Sequence, residues 1–269
     1  MKQVFRWANL IFYLAMVTVN ALANILPLNG VTTGDVSIKY TNLFTPAPYT
    51  FSIWGVIYLF MGFFAIYTAI KAPEHGSVAA MRHSIGILFL LSCIFNIAWI
   101  YTWHYEKIGA SVLCILGLLL TLILINMRFT IKPKTSFPVR VSIYGFNLYL
   151  GWITAAVIAN ISVYLTKVNW SRFGLSETVW TIVILAVACL LGVLFVLVGG
   201  RFMATISLAW ALIGILVKHL SKAGFHNTYP AISITLVFVS VILWLCILYH
   251  PLRTYLLTPS KKKAETEEP

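Results

Sequence analysis

Residues 84–103 read SIGILFLLSCIFNIAWIYTW, twenty positions without a charge, and residues 109–127 follow as GASVLCILGLLLTLILINM. The hydrocarbon core of a bilayer, about 30 Å thick, requires roughly 20 apolar residues in helical form. Two such runs with a short polar joint therefore read as a transmembrane hairpin. Outward from this pair the pattern recurs at 7–26, 50–70, 141–164, 179–199, 202–217 and 231–249. The sequence predicts an all-α, polytopic transmembrane helix bundle of about eight spans.

Composition agrees. Of the 269 residues, 60% are hydrophobic and 10% charged, and the mean hydropathy is +0.91; a soluble domain carries about 25% charged residues. So few charges cannot clothe a water-facing surface, so the first partner is the lipid bilayer. A net charge of +12 could suggest nucleic acid, but the basic residues sit in connections and at the ends rather than on one amphipathic face. Nucleic acid is not expected. Prolines punctuate the connections: Pro46 and Pro48 before the second span, Pro133 and Pro138 before the fifth, Pro230 before the eighth.

Lys and Arg set the orientation. Lys2, Arg6, Lys71, Arg82, Arg128, Lys132, Lys134, Arg140, Arg201, Arg253, Lys261, Lys262 and Lys263 fall on one side, thirteen in all; Lys39, Lys107, Lys167, Arg172, Lys218 and Lys222, six, fall on the other. Both termini are expected in the cytoplasm. The segment 257–269 reads as a disordered tail of mixed charge. A bacterial plasma membrane suits the short loops and basic tail, although Asn169-Trp170-Ser171 forms a glycosylation sequon on the outer side. The first segment also ends in Ala21-Leu22-Ala23, similar to a signal-peptidase site, but apolar character continues through Leu26 at spanning length.

The spans are expected to be free of Lys, Arg, Asp and Glu, which argues against proton relays and voltage sensors. No GxSxG, HExxH or Walker loop is present, so no catalytic residue or metal ligand is assigned. Cys93, Cys114, Cys189 and Cys246 read as packing residues, and the six histidines as interfacial, His104 being the best candidate for a ligand contact. No internal repeat relates the two halves.

Uncharged polar and aromatic groups concentrate in three spans. The second begins with Pro46, Pro48, Tyr49, Phe51, Trp54 and Tyr58; the third carries Asn96 and Trp99; the fifth carries Tyr149, Trp152 and Asn160. Trp54 and Tyr58, four apart, share a helix face, as do Asn96 and Trp99, three apart. An amide in hydrocarbon needs a partner, so Asn96 and Asn160 should face protein or ligand. Interhelical hydrogen bonding and interfacial anchoring are the simpler account of these groups. Ala204, Ser207, Ala211 and Gly214 follow helical spacing on the seventh span and predict close packing there; no chemistry is assigned to the last three spans.

These clusters resemble the TspO/MBR family, the tryptophan-rich sensory proteins and the translocator protein, also called the peripheral benzodiazepine receptor. The proline-rich start of the second helix, the Asn-x-x-Trp of the third, and the Tyr-x-x-Trp followed by Asn160 in the fifth match in order. Phe51 to Trp54 is one residue shorter than the usual spacing, and Leu148 stands where a proline commonly precedes the tyrosine. The resemblance covers the first five spans. It implies a five-helix bundle over 1–165, three further helices over 166–256, and a pocket binding a flat hydrophobic molecule such as porphyrin, haem or sterol. The implied ligand-binding residues are Pro46, Pro48, Tyr49, Phe51, Trp54, Tyr58, Asn96, Trp99, Tyr149, Trp152 and Asn160, with segment 29–45 as a lid. No cofactor is required, and porphyrin or haem enters as a ligand; a lipophilic small molecule and a homodimer are the further partners considered. The competing classes are a transporter or channel for a neutral or amphipathic solute, and light-dependent chemistry on a bound porphyrin.

Overall fold

The computed structural model is a bundle of helices, and the structure describes residues 4–71, 76–129, 131 and 134–257. In chain order the helices are α1 (Val4–Ile25), a short α2 (Thr33–Lys39), α3 (Ile53–Ile66), α4 (Ser77–His104), α5 (Ile108–Met127), α6 (Phe137–Lys167), α7 (Glu177–Leu197), α8 (Phe202–Leu220) and α9 (Pro230–Leu257). Eight segments are long and apolar enough to cross a membrane. In one of them, α3 is extended by a 3-10 turn (Pro48–Ser52) before it and a π turn (Tyr67–Lys71) after it. Among the described residues there is no strand. Lys2, Glu74, His75, Lys132, Pro133 and the tail 258–269 lie outside the described residues.

Local sequence explains the helix starts. Pro48 opens the 3-10 turn, Pro138 lies in the first turn of α6, and Pro230 is the first residue of α9, positions where a missing N–H costs nothing. Ser176 caps α7 by accepting from the Val179 N–H. Thr32 and Asp35 form a reciprocal capping box at α2.

The central helix is α6. One side of it meets α3, α4 and α5, with α1 packed behind against α3 and α4; the other meets α8, which in turn packs on α7 and α9. Three phenylalanines from α3, α4 and α6 lock the first group: Phe64, Phe89 and Phe146 meet edge to face at centroid separations of 4.9, 5.1 and 6.0 Å. The second junction depends on small residues. A Cβ on Gly151 of α6 would overlap the Ala204 carbonyl oxygen and Ser207 Oγ of α8, and one on Gly214 of α8 would overlap the Thr50 side chain. The expected close packing of the seventh span is therefore present, and its partners are α6 and the start of the second span.

Two expectations need correction. Helix α4 begins at Ser77, well before residue 84, and so takes in Arg82, which is only 6% exposed. Its Nη1 donates to the Thr68 carbonyl at 3.4 Å. A charge ends a hydropathy run without ending a helix, because a long arginine can satisfy free carbonyls at a neighbouring helix end. Arg6 does the same at Ala69 and Ile70, and Arg201 Nη2 donates to Asn126 O at 3.1 Å. The second correction concerns histidine. His104 and His219 are fully buried, not interfacial.

Packing of α6 on α8 yields a prediction. Gly151→Val should destabilise the bundle by about 1–3 kcal/mol, the usual cost of overpacking. Gly55→Ala, where a Cβ meets nothing within 4 Å, should leave stability unchanged or slightly raised. Denaturant unfolding in detergent compares the two, and an unperturbed Gly151→Val would refute the packing argument.

Candidate functional site

Trp54 stands at the centre of an aromatic cluster. Its ring lies 5.9 Å from Trp99 of α4, 6.0 Å from Trp152 and 5.8 Å from Tyr149 of α6, and stacks on Tyr58 one turn below at 5.4 Å. Trp99 also stacks on Trp103 at 6.0 Å, and Phe51 meets the edge of Trp152 at 6.0 Å. Phe51 lies in the 3-10 turn and Trp54 in the first turn of α3, and both rings meet Trp152.

Above these rings is a cavity of about 40 Å³, well below the roughly 300–1,000 Å³ of small-molecule sites, so a large ligand enters only if the segment over it or the tryptophan side chains move. Trp99 and Trp103 form one wall; Phe51 and Trp54 form another. From α6 come Trp152, Ala155, Ala156, Ala159, Asn160 and Val163; from α8, Ala211 and Ile215; Ser37, Phe44, Thr45 and Pro46 close the top. The space exists because three alanines of α6 face tryptophans rather than larger side chains. A second and roomier groove, of about 390 Å³, opens between α1 and α3, lined by Asn20, Asn24, Thr33 and Tyr58 among others, and shares Phe51 and Trp54 with the cavity.

Polar groups are satisfied across helices. Asn20 Nδ2 of α1 donates to Asn96 Oδ1 at 2.6 Å, and Asn96 Nδ2 donates to the Tyr149 hydroxyl at 2.9 Å. Trp99 Nε1 donates to Asn160 Oδ1 at 2.9 Å, and Asn160 Nδ2 donates to Ser111 Oγ of α5 at 3.0 Å. One group at the cavity is left out. Trp152 is 3% exposed, and its indole N–H is buried with no partner.

Segment 29–45 lies over the cavity and is fastened on several sides. Trp103 Nε1 donates to Thr33 O at 3.1 Å. His104 places Nε2 3.0 Å from Thr33 Oγ1 and Nδ1 3.2 Å from Leu28 O, so both ring nitrogens are engaged by protein. Lys39 pairs with Glu106 at 2.6 Å, and the Tyr40 hydroxyl donates to the same carboxylate at 2.6 Å. Glu106 itself adopts a left-handed backbone, φ 52°, in the turn between α4 and α5, and Lys167 donates to its carbonyl at 2.8 Å. Hydrogen bonds from Lys39 and then Tyr40 hold the Glu106 carboxyl below the ordinary carboxylate range. The hydrogen bonds to Thr32, backbone first, do the same for Asp35. Farther along, Leu43 N donates to Glu177 Oε1 at 3.2 Å, His219 Nε2 donates to Leu43 O at 2.9 Å, and Ala47 N donates to Gly214 O at 3.0 Å.

Of the residues singled out from sequence, Pro46, Phe51, Trp54, Trp99, Trp152 and Asn160 line the cavity. Asn96 and Tyr149 are fully buried beneath it and bonded to each other. Tyr58 faces the α1–α3 groove. Pro48 starts the 3-10 turn, and Tyr49 is 44% exposed with its ring edge-on to Trp210 at 5.7 Å. Sequence reasoning did not single out Phe44, Ala159, Ala211 or Ile215 at the cavity. The stripe of small residues on the seventh span was the available signal for α8, and it pointed to packing without naming the partner.

The model of the family described as TSPO-like protein matches residues 6–249, from α1 into α9. No curated protein and no solved structure matches the chain.

The fastening of 29–45 carries a pH dependence. A carboxyl held below its unfolded value, about 4.3 for Glu, stabilises the native state above that value and stops doing so as pH falls through the depressed one. Hydrogen exchange corrected for intrinsic rate should show steady protection of 39–41 from about pH 8 to about pH 5 and a loss below about pH 4. Glu106→Gln should lower protection there and remove that step, leaving the Asp35 step at 32–36. A step at 39–41 that persists in Glu106→Gln would refute the assignment.

Proposed function

The chain belongs to the TSPO-like protein family and is an integral membrane protein, and from that premise we propose that it binds a flat hydrophobic ligand, of porphyrin, haem or sterol type, in the cavity walled by Trp54, Trp99 and Trp152. The observation that carries this reading is the orphaned indole N–H of Trp152. A buried donor without a partner costs about 1–3 kcal/mol, and a ligand acceptor beside it would recover that loss. Aromatic walls supply dispersion and ring stacking to a planar molecule, and the engaged Asn160 amide fixes the orientation of Trp99.

A receptor or sensor fits better than a conduit. The fastened segment 29–45 lies above the cavity, while Tyr149 and the trio Phe64, Phe89 and Phe146 are fully buried and fill the bundle below it. In this reading the first five spans hold the ligand and the last three complete its wall. The bias of thirteen Lys and Arg against six supports cytoplasmic termini and a ligand-binding end on the opposite side.

Titration of protoporphyrin IX against intrinsic tryptophan fluorescence tests the proposal. Trp99→Ala combined with Trp152→Ala should raise Kd at least about tenfold, which is about 1.4 kcal/mol. Trp152→Phe, which removes only the N–H and its ring partner, should raise it about threefold to tenfold, given about 0.5–1.5 kcal/mol for one hydrogen bond. Trp244→Phe, on the exposed face of α9, is the control. Equal affinity in wild type and the double variant would overturn the assignment.

A further inference from the structure

Helix α1 is fastened to different neighbours at two heights. Near its middle the Tyr13 hydroxyl donates to Tyr58 O of α3 at 2.9 Å, and a Cβ on Gly62 would collide with that phenol. Two turns on, Asn20 donates instead to Asn96 of α4. Held by α3 at one height and by α4 at the other, α1 leaves a wedge between itself and α3. This wedge is the groove of about 390 Å³, against about 40 Å³ for the aromatic cavity and within the roughly 300–1,000 Å³ of small-molecule sites. Ala21, Asn24 and Ile25 on its rim are exposed. They belong to a membrane span, so the open side of the groove faces lipid.

The groove is graded along its length. Asn24 and Ser52 stand at the mouth, in the last turn of α1 and at the start of α3, while Val17, Ala21 and Tyr58 line the deeper part. From Asn24 down to Val17 the helix descends about 10 Å. Both mouth residues are exposed. Among the described residues the Asn24 side chain bonds through Nδ2 alone, to Asn20 O at 2.9 Å, and Ser52 makes no side-chain bond at the helix start. Lipid tails offer such groups no partner. No Lys, Arg, Asp, Glu or His is among the lining residues, so an ionised head would give up its hydration there without a counter-charge. A head with several hydroxyls can engage both walls of the mouth at once, where a single hydroxyl engages one.

We propose that the α1–α3 groove binds a neutral acylglycerol from the bilayer, with its hydroxyl-bearing head at Asn24 and Ser52 and its acyl chain along Val17, Ala21 and Tyr58. The site is separate from the tryptophan cavity and stands whether or not that cavity takes a ligand. The two meet at Phe51 and Trp54, which line both. An acyl chain in the groove therefore packs the side of Trp54 turned away from the cavity and steadies the ring at the centre of the aromatic cluster.

A diazirine-bearing monoacylglycerol, photolysed with the full chain in phosphatidylcholine nanodiscs, reports the site through the peptides it labels. Label should concentrate on 17–25 and 51–58. Unlabelled monooleoylglycerol should displace it at about tenfold lower concentration than methyl oleate, which lacks the hydroxyls, or oleate at about pH 9, which is charged. Oleyl alcohol, with a single hydroxyl, should fall between. Asn24→Leu should cut the preference over methyl oleate about threefold to tenfold, as for one hydrogen bond. Ala21→Trp, which fills the groove, should remove the label there and leave labelling of the other lipid-facing helices unchanged. Thermal unfolding in detergent checks that each variant folds, and the wild-type map decides without them. Label spread over α5, α7 and α9 in proportion to their exposure, or equal displacement by all the competitors, would overturn the proposal.

Discussion

In hydrocarbon, a polar side chain that finds no partner within the protein has none to find in the solvent. Two sets of amide, phenol and indole groups in the spans are paired accordingly, while the buried Asn9 amide and Tyr58 hydroxyl are not. Asn20, Asn96 and Tyr149 run across α1, α4 and α6, and Trp99, Asn160 and Ser111 run across α4, α6 and α5. These are the bonds that fix how four of the first five long helices are rotated about their axes, since hydropathy alone leaves each free to turn in lipid. With the rotations fixed, the tryptophans on the same faces must converge. The N–H of Trp152 is unpaired, and so are the buried Tyr58 hydroxyl and Thr50 Oγ1.

Around this frame, residue size decides where the bundle is dense and where it is hollow. Gly145 and Gly151 bring α3 and α8 close to α6, since a Cβ at either would meet Phe60 or Ala204. One turn beyond Gly151, the alanines at 155, 156 and 159 keep the same helix slim where no neighbouring backbone closes in, and the cavity forms there. Small residues thus serve opposite ends within a few turns of one helix. The outcome depends on whether a neighbouring helix or only side chains stand opposite, so composition alone could not have told the two uses apart.

The spans were legible because apolar length is a property of a contiguous stretch and needs no knowledge of tertiary structure. The convergence of Trp54, Trp99, Trp152 and Asn160 was legible through the order and spacing of their clusters. Boundaries were less so: Arg82 hid the first turns of α4, because the carbonyl that receives it comes from the end of another helix. His104 and His219 were misjudged for a related reason. Each is bonded to backbone of the irregular connection between the first and second spans, at Leu28 and Leu43, and no local pattern announces a carbonyl presented by a loop. Tyr49 and Pro48 sit among true cavity residues in sequence, yet the tight 3-10 turn points Phe51 inward and leaves Tyr49 outside against Trp210.

The last three helices show how far a local reading can fall short. Taken alone, α7, α8 and α9 are plain apolar spans, and their few polar residues look incidental. In the folded chain three residues of α7 and α8 reach back about 130 to 180 positions: Glu177 and His219 to Leu43, and Trp210 Nε1 to the Thr50 carbonyl at 2.9 Å. All three bonds end on the backbone of the segment that enters the second span, a stretch with little regular hydrogen bonding of its own. Without them its peptide groups would have to remain near water at the membrane surface, and Phe44 and Pro46 would have nothing to press them over the cavity. The family match continuing to residue 249 accords with this arrangement, in which α7 and α8 hold the roof of the site and α8 adds Ala211 and Ile215 to its wall.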